Sequence, residues 1–275
     1  MSNDTKSLAL FCDFENIALG VRDAAYARFD IEEVLERLLV KGNIVVKKAY
    51  CDWERYKGFK RDMHEASFEL IEIPHVRQSG KNSADIRMVV DALDLCYTKS
   101  HVDTFVIISG DSDFSPLVSK LRENNKVVIG VGVKKSTSDL LIANCDEFIY
   151  YDDLVRQAER RSKPKRKRGG AKKDAPEAEE GGNGKESDED RKQKAFRLVL
   201  ETIEDLVDER GDEDKMWGSM VKQALKRRKP GFSESYHGFR SFGKLLEDMR
   251  EHKLLKLEHD QKSGGYIITA YATDD

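Results

Sequence analysis

A short apolar run that ends in closely spaced acidic residues lies near the middle of this chain. Phe105-Val106-Ile107-Ile108 is followed at once by Ser109-Gly110-Asp111-Ser112-Asp113-Phe114. A run of this length and composition predicts a buried strand, and open α/β sheets place their sites just beyond the carboxyl ends of strands. A second run, Leu8-Ala9-Leu10-Phe11-Cys12, ends in the same way on Asp13. Two strands are therefore expected to bring carboxylates to one edge of a sheet.

These carboxylates indicate a metal site. Like charges gathered at one edge repel unless a hard divalent cation neutralises them, so the pattern favours oxygen-ligated Mg²⁺ or Mn²⁺ and metal-assisted phosphoryl chemistry. Simpler interpretations exist, because Asp commonly forms turns after strands. Asp85, at the head of a predicted helix, can also favour the positive end of the helix dipole, by roughly 0.3–1 kcal/mol. The combination of several acidic segments favours the metal site.

The first 150 residues alternate short apolar strands with amphipathic helices, which predicts a mostly parallel sheet with helices on its faces. Helices are predicted at Ile31–Leu39 and Ile86–Leu95, and Ser115-Pro116 predicts an N-cap and first helical residue for a helix that runs through Leu121. The predicted strands are Leu8–Cys12, Ile44–Tyr50, Glu69–Ile73, Thr104–Ser109, Lys126–Val131 and Glu147–Tyr150.

The composition changes abruptly after Asp153. A basic block at 160–170 and an acidic, Gly-rich block at 174–190 contain too little apolar surface to fold, which predicts a disordered linker. Beyond it, a helix with one apolar face begins near Phe196. Further helices are predicted at about Trp217–Arg227 and Gly238–Arg250, followed by a hairpin of Leu254–Glu258 with Tyr266–Thr269. Three helices and a hairpin predict a small winged-helix domain.

Composition and cysteine spacing exclude several functional classes. The net charge is −3 although 36% of the residues are charged, so any basic surface has to be local. The four cysteines lack a CxxC pair or a histidine at zinc-ligand spacing, so neither a zinc module nor a disulfide framework is indicated. There is no secretory signal pattern and no apolar run near the roughly 20 residues that span a bilayer. We therefore expect a soluble, cytoplasmic protein without a membrane partner.

Three spaced motifs in the N-terminal segment form one pattern. They are Phe11-Cys12-Asp13-Phe14-Glu15-Asn16, then Lys81 with Ala84-Asp85-Ile86 and Val90-Asp91-Ala92-Leu93, then Ile108-Ser109-Gly110-Asp111-Ser112-Asp113-Phe114 leading to Pro116-Leu117. Together they resemble the NYN family, a branch of the PIN-like nuclease superfamily, over about residues 7–153. The resemblance implies an α/β, PIN-like Rossmannoid domain with a parallel sheet flanked by helices.

The same resemblance implies a catalytic cluster. In this family one or two divalent cations activate water for attack on an RNA phosphodiester, and a cation also offsets charge on the phosphate. Asp91 matches a family position, but its offset of six residues puts it about 120° from Asp85 around a helix, so a supporting or structural role is expected. The implied catalytic and metal-binding residues are Asp13, Asp85, Asp111 and Asp113, with Asn16, Ser109 and Asp91 in support.

The C-terminal segment carries a second resemblance. Its motifs are Trp217-Gly218-Ser219-Met220-Val221 through Leu225-Lys226-Arg227-Arg228, then Pro230-Gly231-Phe232, then the stretch from Tyr236 to Leu246, then Gly264-Gly265-Tyr266-Ile267-Ile268. They resemble a LOTUS (OST-HTH) domain, a winged-helix module associated with RNA binding. Docking to a protein partner is the alternative role. The cations expected to contact phosphates are Lys226, Arg227, Arg228 and Lys229, with His237, Arg240 and Lys244 clustered nearby and Phe232, Phe239 and Phe242 in the core.

Two loop pairs are further candidates for contacts to the substrate. Lys134 and Lys135 stand beside Ser136-Thr137-Ser138 and can reach phosphates near the carboxyl edge of the sheet, and His75 and Arg77 follow the third predicted strand. For both pairs, solvated loop side chains are the alternative.

The sequence thus predicts a metal-dependent ribonuclease with an NYN domain at 1–155, a charged linker at 156–192 and a winged-helix domain at 193–275 that recruits RNA. The alternatives are a regulator that binds RNA or protein without cleavage, and a metal-dependent nucleotide phosphohydrolase. Phosphatases with an aspartyl nucleophile usually carry D-x-D on the first strand, where this chain has Asp13-Phe14-Glu15. The oligomeric state is left open.

Overall fold

The structure, a computed structural model, describes residues 6–73, 83–162, 187–210, 215–261 and 263–272. These residues fall into two compact units, one of Met1–Val155 with Leu225–Phe232 and one of Arg156–Ala224 with Ser233–Asp275. The strands are β1 (Ser7–Asp13), β2 (Asn43–Cys51), β3 (Glu69–Glu72), β4 (Thr104–Ile108), β5 (Val127–Gly132), β6 (Glu147–Tyr150), β7 (Met216–Trp217), β8 (Leu255–His259) and β9 (Tyr266–Tyr271). The helices are α1 (Phe14–Asp23), α2 (Ile31–Leu39), α3 (Lys57–Glu65), α4 (Ser83–Thr98), α5 (Ser115–Glu123), α6 (Asp139–Asn144), α7 (Tyr151–Ser162), α8 (Asp188–Arg210), α9 (Gly218–Arg228) and α10 (Phe242–Glu251).

The first unit is built on a parallel sheet, as the sequence predicts. Within the described residues its strand order is β3-β2-β1-β4-β5-β6, and every neighbouring pair is parallel. The chain adds strands outward from β1 to β3, then crosses back to β4 and adds strands in the opposite direction. The reversal of strand order therefore lies between β1 and β4, and a crevice opens at such a point beyond the carboxyl ends of the strands.

Both faces of this sheet are covered by apolar packing. Leu8, Leu10 and Cys12 of β1 point into a core shared with α1, α2, α3 and α7, whereas Ala9 and Phe11 point into a second core shared with α4, α5 and α6. This alternation follows from the two-residue repeat of a strand. Strands buried on both faces read as continuous apolar runs, which is why they were visible in the sequence.

Two local predictions in the helices are corrected by the structure. The spacing of Ile86 and Val90 predicts that they lie on the apolar face of this helix, but α4 buries Met88 and Ala92, and Ile86 and Val90 are 62% and 55% exposed. Ser115 is not an N-cap: it is the first residue of α5, Phe114 takes the cap position without a side-chain hydrogen bond, and Pro lies at the first or second helical position. The helical spacing of apolar residues alone did not distinguish the buried face of α4 from its solvent-exposed face.

The second unit contains the helices and small antiparallel sheet expected of the C-terminal region. Its described strands pair in the order β7-β9-β8. Helix α8 buries Phe196, Val199 and Ile203, as its apolar spacing predicts. Trp217 belongs to β7 rather than to a helix, and the residues from Gly238 to Ser241 precede α10 instead of opening it. The three helices and the hairpin therefore follow in the predicted order with bounds moved by a few residues, whereas strand β7 was not predicted.

The region predicted as a disordered linker begins and ends in helix. Helix α7 continues to Ser162 and α8 starts at Asp188, so helical structure extends into both ends of the interval 156–192. Residues 163–186 lie outside the described residues, as do His75, Arg77 and Lys81. Among the helices that are described, none combines the length and the apolar character needed to cross a membrane.

We expect two glycines of the first unit to respond oppositely to alanine. A Cβ at Gly130 on β5 would lie 2.3 Å from the ring of Phe148, so Gly130→Ala should lower the free energy of unfolding by about 1–3 kcal/mol through overpacking. A Cβ at Gly58 in α3 meets nothing within 4 Å, so Gly58→Ala should raise it by up to about 1 kcal/mol. Urea unfolding measures both changes. Equal stability of Gly130→Ala and the unmodified chain would show that the sheet yields at this point.

Candidate active site

The candidate site begins where two neighbouring strands end. Cys12 of β1 and Ile108 of β4 are partners in the parallel register, so Asp13 and Ser109 leave the sheet side by side. The Ser109 hydroxyl donates a hydrogen bond of 2.9 Å to Asp13 Oδ2, and both residues are buried. This bond joins residues that are 96 positions apart at the point where the strand order reverses.

Asp13 is buried although it is a carboxylic acid. It caps α1, where its Oδ1 accepts a hydrogen bond of 3.3 Å from the backbone N–H of Asn16. Burial, and then the charge of Asp85, raise the pKa of Asp13 to about 7, and the hydrogen bonds from Ser109 and Asn16 oppose the rise without cancelling it. Loss of hydration therefore outweighs hydrogen bonding here. A neutral acid and a carboxylate are both accessible to this group near neutral pH.

A chain of hydrogen bonds fixes the loop after β4. The Gly110 amide donates to Asn16 Oδ1 at 2.8 Å, which ties the loop to the first turn of α1. The Asp111 amide donates to the Ser109 hydroxyl oxygen at 3.2 Å, and Asp111 Oδ1 accepts from the Asp113 amide at 3.0 Å. Asn16 and Ser109, expected as supporting residues, thus each bond both to Asp13 and to the backbone of the loop after β4.

Gly110 is required by the close approach of another loop. A Cβ at this position would lie 2.4 Å from the carbonyl oxygen of Ser136, and the Ser138 amide donates to the Gly110 carbonyl at 2.9 Å. The segment after β5 therefore packs directly onto the acidic loop. It carries Lys134 and Lys135, so both lysines belong to the same edge of the sheet as the carboxylates.

Asp85 approaches the acidic loop from the first turn of α4. Its pKa is raised by partial burial and by the charges of Asp111, Asp113 and Glu15, in that order. Asp13 in turn senses the charges of both Asp85 and Asp111. Asp85 therefore lies close enough to Asp13 and to the acidic loop for their charges to interact at one edge of the sheet.

The carboxylates do not form a closed ligand set as they stand. Among the described residues, no group of three or more His, Cys, Asp or Glu side chains is arranged to hold a metal ion. The chemistry of the donors nevertheless suits a hard cation, since the cluster consists of carboxylate oxygens. Burial first, and then the charges of neighbouring carboxylates, raise the pKa of Asp13 and of Asp85.

Glu15 is a member of this edge that the predicted set of site residues omits. It lies two residues after Asp13 in the first turn of α1, contributes to the raised pKa of Asp85, and forms an ion pair of 3.2 Å with Arg55. The sequence signal was its place directly after the strand end. Arg55 had no such signal, because it follows β2 and not one of the two strands that end in acidic residues.

Asp91 lies in a separate polar contact. Its Oδ2 accepts a hydrogen bond of 2.9 Å from the Tyr50 hydroxyl and lies 3.4 Å from Lys48 Nζ, and its Oδ1 is 3.0 Å from Arg87 Nε. These contacts attach α4 to β2. Of the two roles left open for Asp91, the contacts support the structural one.

The two loop lysines lie on a short turn whose backbone is bonded to Asp152. Lys134 and Lys135 are exposed on the turn Lys134–Ser136, and the Lys134 amide donates to Asp152 Oδ2 at 2.8 Å. Asp152 also accepts a hydrogen bond of 3.0 Å from the Tyr26 hydroxyl through its other oxygen. Asp152 therefore fixes the position of the turn against the sheet.

The cations predicted to contact RNA in the C-terminal region differ in their surroundings. Arg227, Arg228 and Lys229 are exposed at the end of α9, whereas Lys226 Nζ lies 3.7 Å from Glu147 Oε1 within the first unit. His237 is buried, with its Nδ1 2.6 Å from the carbonyl oxygen of Arg191, so its inclusion in an exposed basic cluster was wrong. The expected core residues Phe232, Phe239 and Phe242 are all buried.

Comparison with known proteins identifies the first unit. A family model described as "NYN domain" matches residues 7–152, just over half of the chain. An uncharacterized protein of Methanocaldococcus jannaschii, MJ0482, is 27% identical over 112 residues, and the match spans 41% of this chain and 43% of that protein. A crystal structure of a protein of unknown function from Vibrio parahaemolyticus, VPA0982, matches with 27% identity and a TM-score of 0.50, covering 56% of this chain and 98% of that chain.

Asp13→Asn should stabilise the protein in a way that depends on pH. The pKa of Asp13 is about 7 in the fold and ordinarily near 3.8, so its contribution to stability is complete below pH 4 and is lost as the pH rises to 7. Asn does not ionise. In EDTA, the free energy of unfolding of the variant relative to the unmodified chain should therefore increase by about 1–3 kcal/mol between pH 5 and pH 8.

Urea unfolding at pH 5, 6, 7 and 8, followed through the fluorescence of buried Trp53, measures this difference. Both proteins carry Trp217→Phe so that the signal reports the first unit alone. A difference in stability that stays constant across these pH values would show that Asp13 does not titrate in this range.

Proposed function

This chain belongs to the NYN domain family through residues 7–152, and from that premise we propose that it is a metal-dependent ribonuclease. NYN domains are part of the PIN-like nuclease superfamily, so a nuclease-type fold is the starting point. The proposed reaction is hydrolysis of phosphodiester bonds in RNA.

The observation that supports this proposal best is the meeting of Asp13 with the Ser109-Gly110-Asp111 loop at the reversal of strand order. Substrates of open α/β sheets bind in the crevice at this position. Asp85 and Asp113 reach the same edge from α4 and from the turn after β4. A concentration of acidic side chains at the substrate crevice is suited to cation-assisted phosphoryl chemistry and poorly suited to binding RNA without a cation, since the backbone of RNA is itself anionic.

The residues that would hold Mg²⁺ or Mn²⁺ are Asp13, Asp85, Asp111 and Asp113. When bound, a divalent cation supplies a water of lowered pKa and offsets the negative charge on the phosphate. The chain's own contribution is to fix the ligands: Ser109 and the Asn16 amide orient the two oxygens of Asp13, and Asp111 is oriented by the Asp113 amide. Lys135, on the adjoining turn, is placed to contact a phosphate.

A role in binding RNA or protein without cleavage is the second candidate, because the carboxylates of the described residues do not yet stand in a closed ligand set. A nucleotide phosphohydrolase remains distinguishable by its substrate. Cleavage of mononucleotides without cleavage of RNA would identify that activity.

We further propose that the C-terminal region is a LOTUS-like winged helix that recruits RNA. Helices α8, α9 and α10 with the sheet of β7, β8 and β9 support this architecture. Arg227, Arg228 and Lys229 lie exposed at the end of α9, and we propose that they contact RNA phosphates. Cations in the last turn of a helix also favour its dipole, so their role in binding needs a direct test.

Asp111→Asn and Asp113→Asn should each lower RNA cleavage by the full-length protein at least about 100-fold in Mn²⁺ or Mg²⁺, the scale expected when one electrostatic contributor to a reaction is removed. Neither change should unfold the protein, because each removes one of several mutually repelling charges. The measurement is the initial rate on a labelled single-stranded RNA, with protein cleared of contaminating nuclease.

The matched control is Asp94→Asn, an exposed residue of α4 that lies more than two turns from Asp85. It makes the same chemical change on the same helix as Asp85 and should retain the full rate. Equal rates for Asp94→Asn and the double variant of the acidic loop would contradict the catalytic assignment.

Replacing the exposed cations of residues 227–229 with Ala should weaken RNA binding and lower its salt dependence. Each lost phosphate contact reduces the slope of log K against log salt by about 0.7 for single strands, so the slope should fall by about 2. Fluorescence anisotropy with labelled RNA from 50 to 300 mM KCl measures this. The control replaces Lys215, Arg250 and Lys256, three exposed cations of the C-terminal region outside residues 227–229. An equal effect in the control would mean that only net charge matters.

A further inference from the structure

Arg55 lies beside the acidic edge on the side away from the acidic loop. β2 pairs with β1 so that Tyr50 is opposite Asp13, and the turn that follows β2 therefore emerges next to the start of α1. β4 pairs with the other side of β1. Arg55 and Asp111 thus follow β2 and β4, the two strands that flank β1. At the usual strand spacing, β2 and β4 are about 10 Å apart.

The turn that carries Arg55 is rigid. Trp53 is fully buried against the ring of Phe14, with centroids 4.9 Å apart, and the Trp53 amide donates to Glu72 Oε1 at 3.0 Å. The Arg55 amide donates to the carbonyl oxygen of Asp52 at 3.1 Å, which closes the turn. The backbone of Arg55 is therefore held in one place at the carboxyl edge of the sheet.

The guanidinium of Arg55 is held near the site but is not enclosed. Its Nη1 lies 3.2 Å from Glu15 Oε1, and the two side chains are 52% and 37% exposed. A guanidinium has five N–H donors arranged to bind carboxylate or phosphate oxygens, and one contact to Glu15 leaves most of them directed to solvent. An exposed ion pair of this kind contributes little to stability.

We infer that Arg55 binds a phosphate of the RNA strand adjacent to the one that is cleaved, and that Glu15 holds the guanidinium in position until RNA arrives. This inference rests on the proposed ribonuclease function. Two strand spacings separate the ends of β2 and β4, further than one phosphate group extends but within reach of successive phosphates on one strand. Arg55 is thus a substrate-positioning residue that gives the site a preference for a polynucleotide over an isolated phosphodiester.

The alternative role for Arg55 is to neutralise Glu15 so that the acidic edge remains folded and able to accept a cation. The two roles differ when Glu15 is also changed. If Arg55 only neutralises Glu15, Glu15→Gln should restore whatever Arg55→Ala loses. If Arg55 binds phosphate, the double variant should remain as impaired as Arg55→Ala.

The test uses the full-length protein with the variants Arg55→Ala and Glu15→Gln/Arg55→Ala. Arg61→Ala is the matched control, because Arg61 is also an exposed arginine in an ion pair, with Glu65 on α3. Binding of a labelled single-stranded RNA is measured from 50 to 300 mM KCl in Ca²⁺, and cleavage of that RNA and of bis(4-nitrophenyl) phosphate is measured in Mn²⁺. The small diester has no adjacent phosphate.

We expect Arg55→Ala to weaken RNA binding about fivefold to tenfold at 100 mM KCl and to reduce the salt slope by about 0.7, with the double variant alike and Arg61→Ala near the unmodified protein. The decrease in kcat/KM of Arg55→Ala should come mainly from a higher KM. This decrease should be at least about threefold larger for RNA than for the small diester. Rescue by Glu15→Gln, or equal losses on both substrates, would overturn the inference. If the protein cleaves no RNA but its RNA binding still depends on Arg55, the proposed ribonuclease function would be wrong and the proposed contact between Arg55 and phosphate would stand.

Discussion

The parallel pairing of β1 with β4 is the constraint on which the candidate site depends. It places Asp13 beside Ser109, and the hydrogen bond between their side chains connects the ends of two strands that are far apart in sequence. Asn16 and Asp111 are then positioned by bonds to the same two ends. A slip of one residue in this pairing would turn every side chain of β1 to the opposite face. The site and the two cores therefore depend on the same register.

Burial of Asp13 shows how the fold retains an unfavourable group. Two hydrogen bonds favour its charged form, yet the loss of hydration and the charges of Asp85 and Asp111 still raise its pKa to about 7. Such tension is common at functional sites, where groups are held in environments that a purely structural role would avoid. Here the surrounding apolar cores of the sheet supply the stability that the acidic edge lacks.

Along the carboxyl edge of the sheet, acidic side chains lie between basic ones. From β2 towards β5, the edge presents Arg55, then Asp13, then Asp111, then Lys135. For the proposed ribonuclease, an acidic centre with a cation on each flank would suit a strand of RNA better than a uniform patch of either sign, because metal ligands are needed at the reacting phosphate and positive charge at its neighbours. The low net charge of the chain is consistent with this local arrangement.

The amino-acid sequence by itself determined the α/β class, the six strands of the parallel sheet and the acidic residues at two strand ends. Helices α1, α3, α6 and α7 and strand β7 were not predicted individually. Strands buried on both faces are continuous apolar runs, and residues such as Asp13 and Asp111 follow them directly. It did not show that Ile86 and Val90 of α4 face solvent or that Asp91 contacts Tyr50, since helical spacing leaves the direction of a stripe open. Only the tertiary structure brought Glu15 to Arg55 and Gly110 to Ser136, because these contacts join segments whose proximity follows from strand order and loop packing rather than from any local pattern.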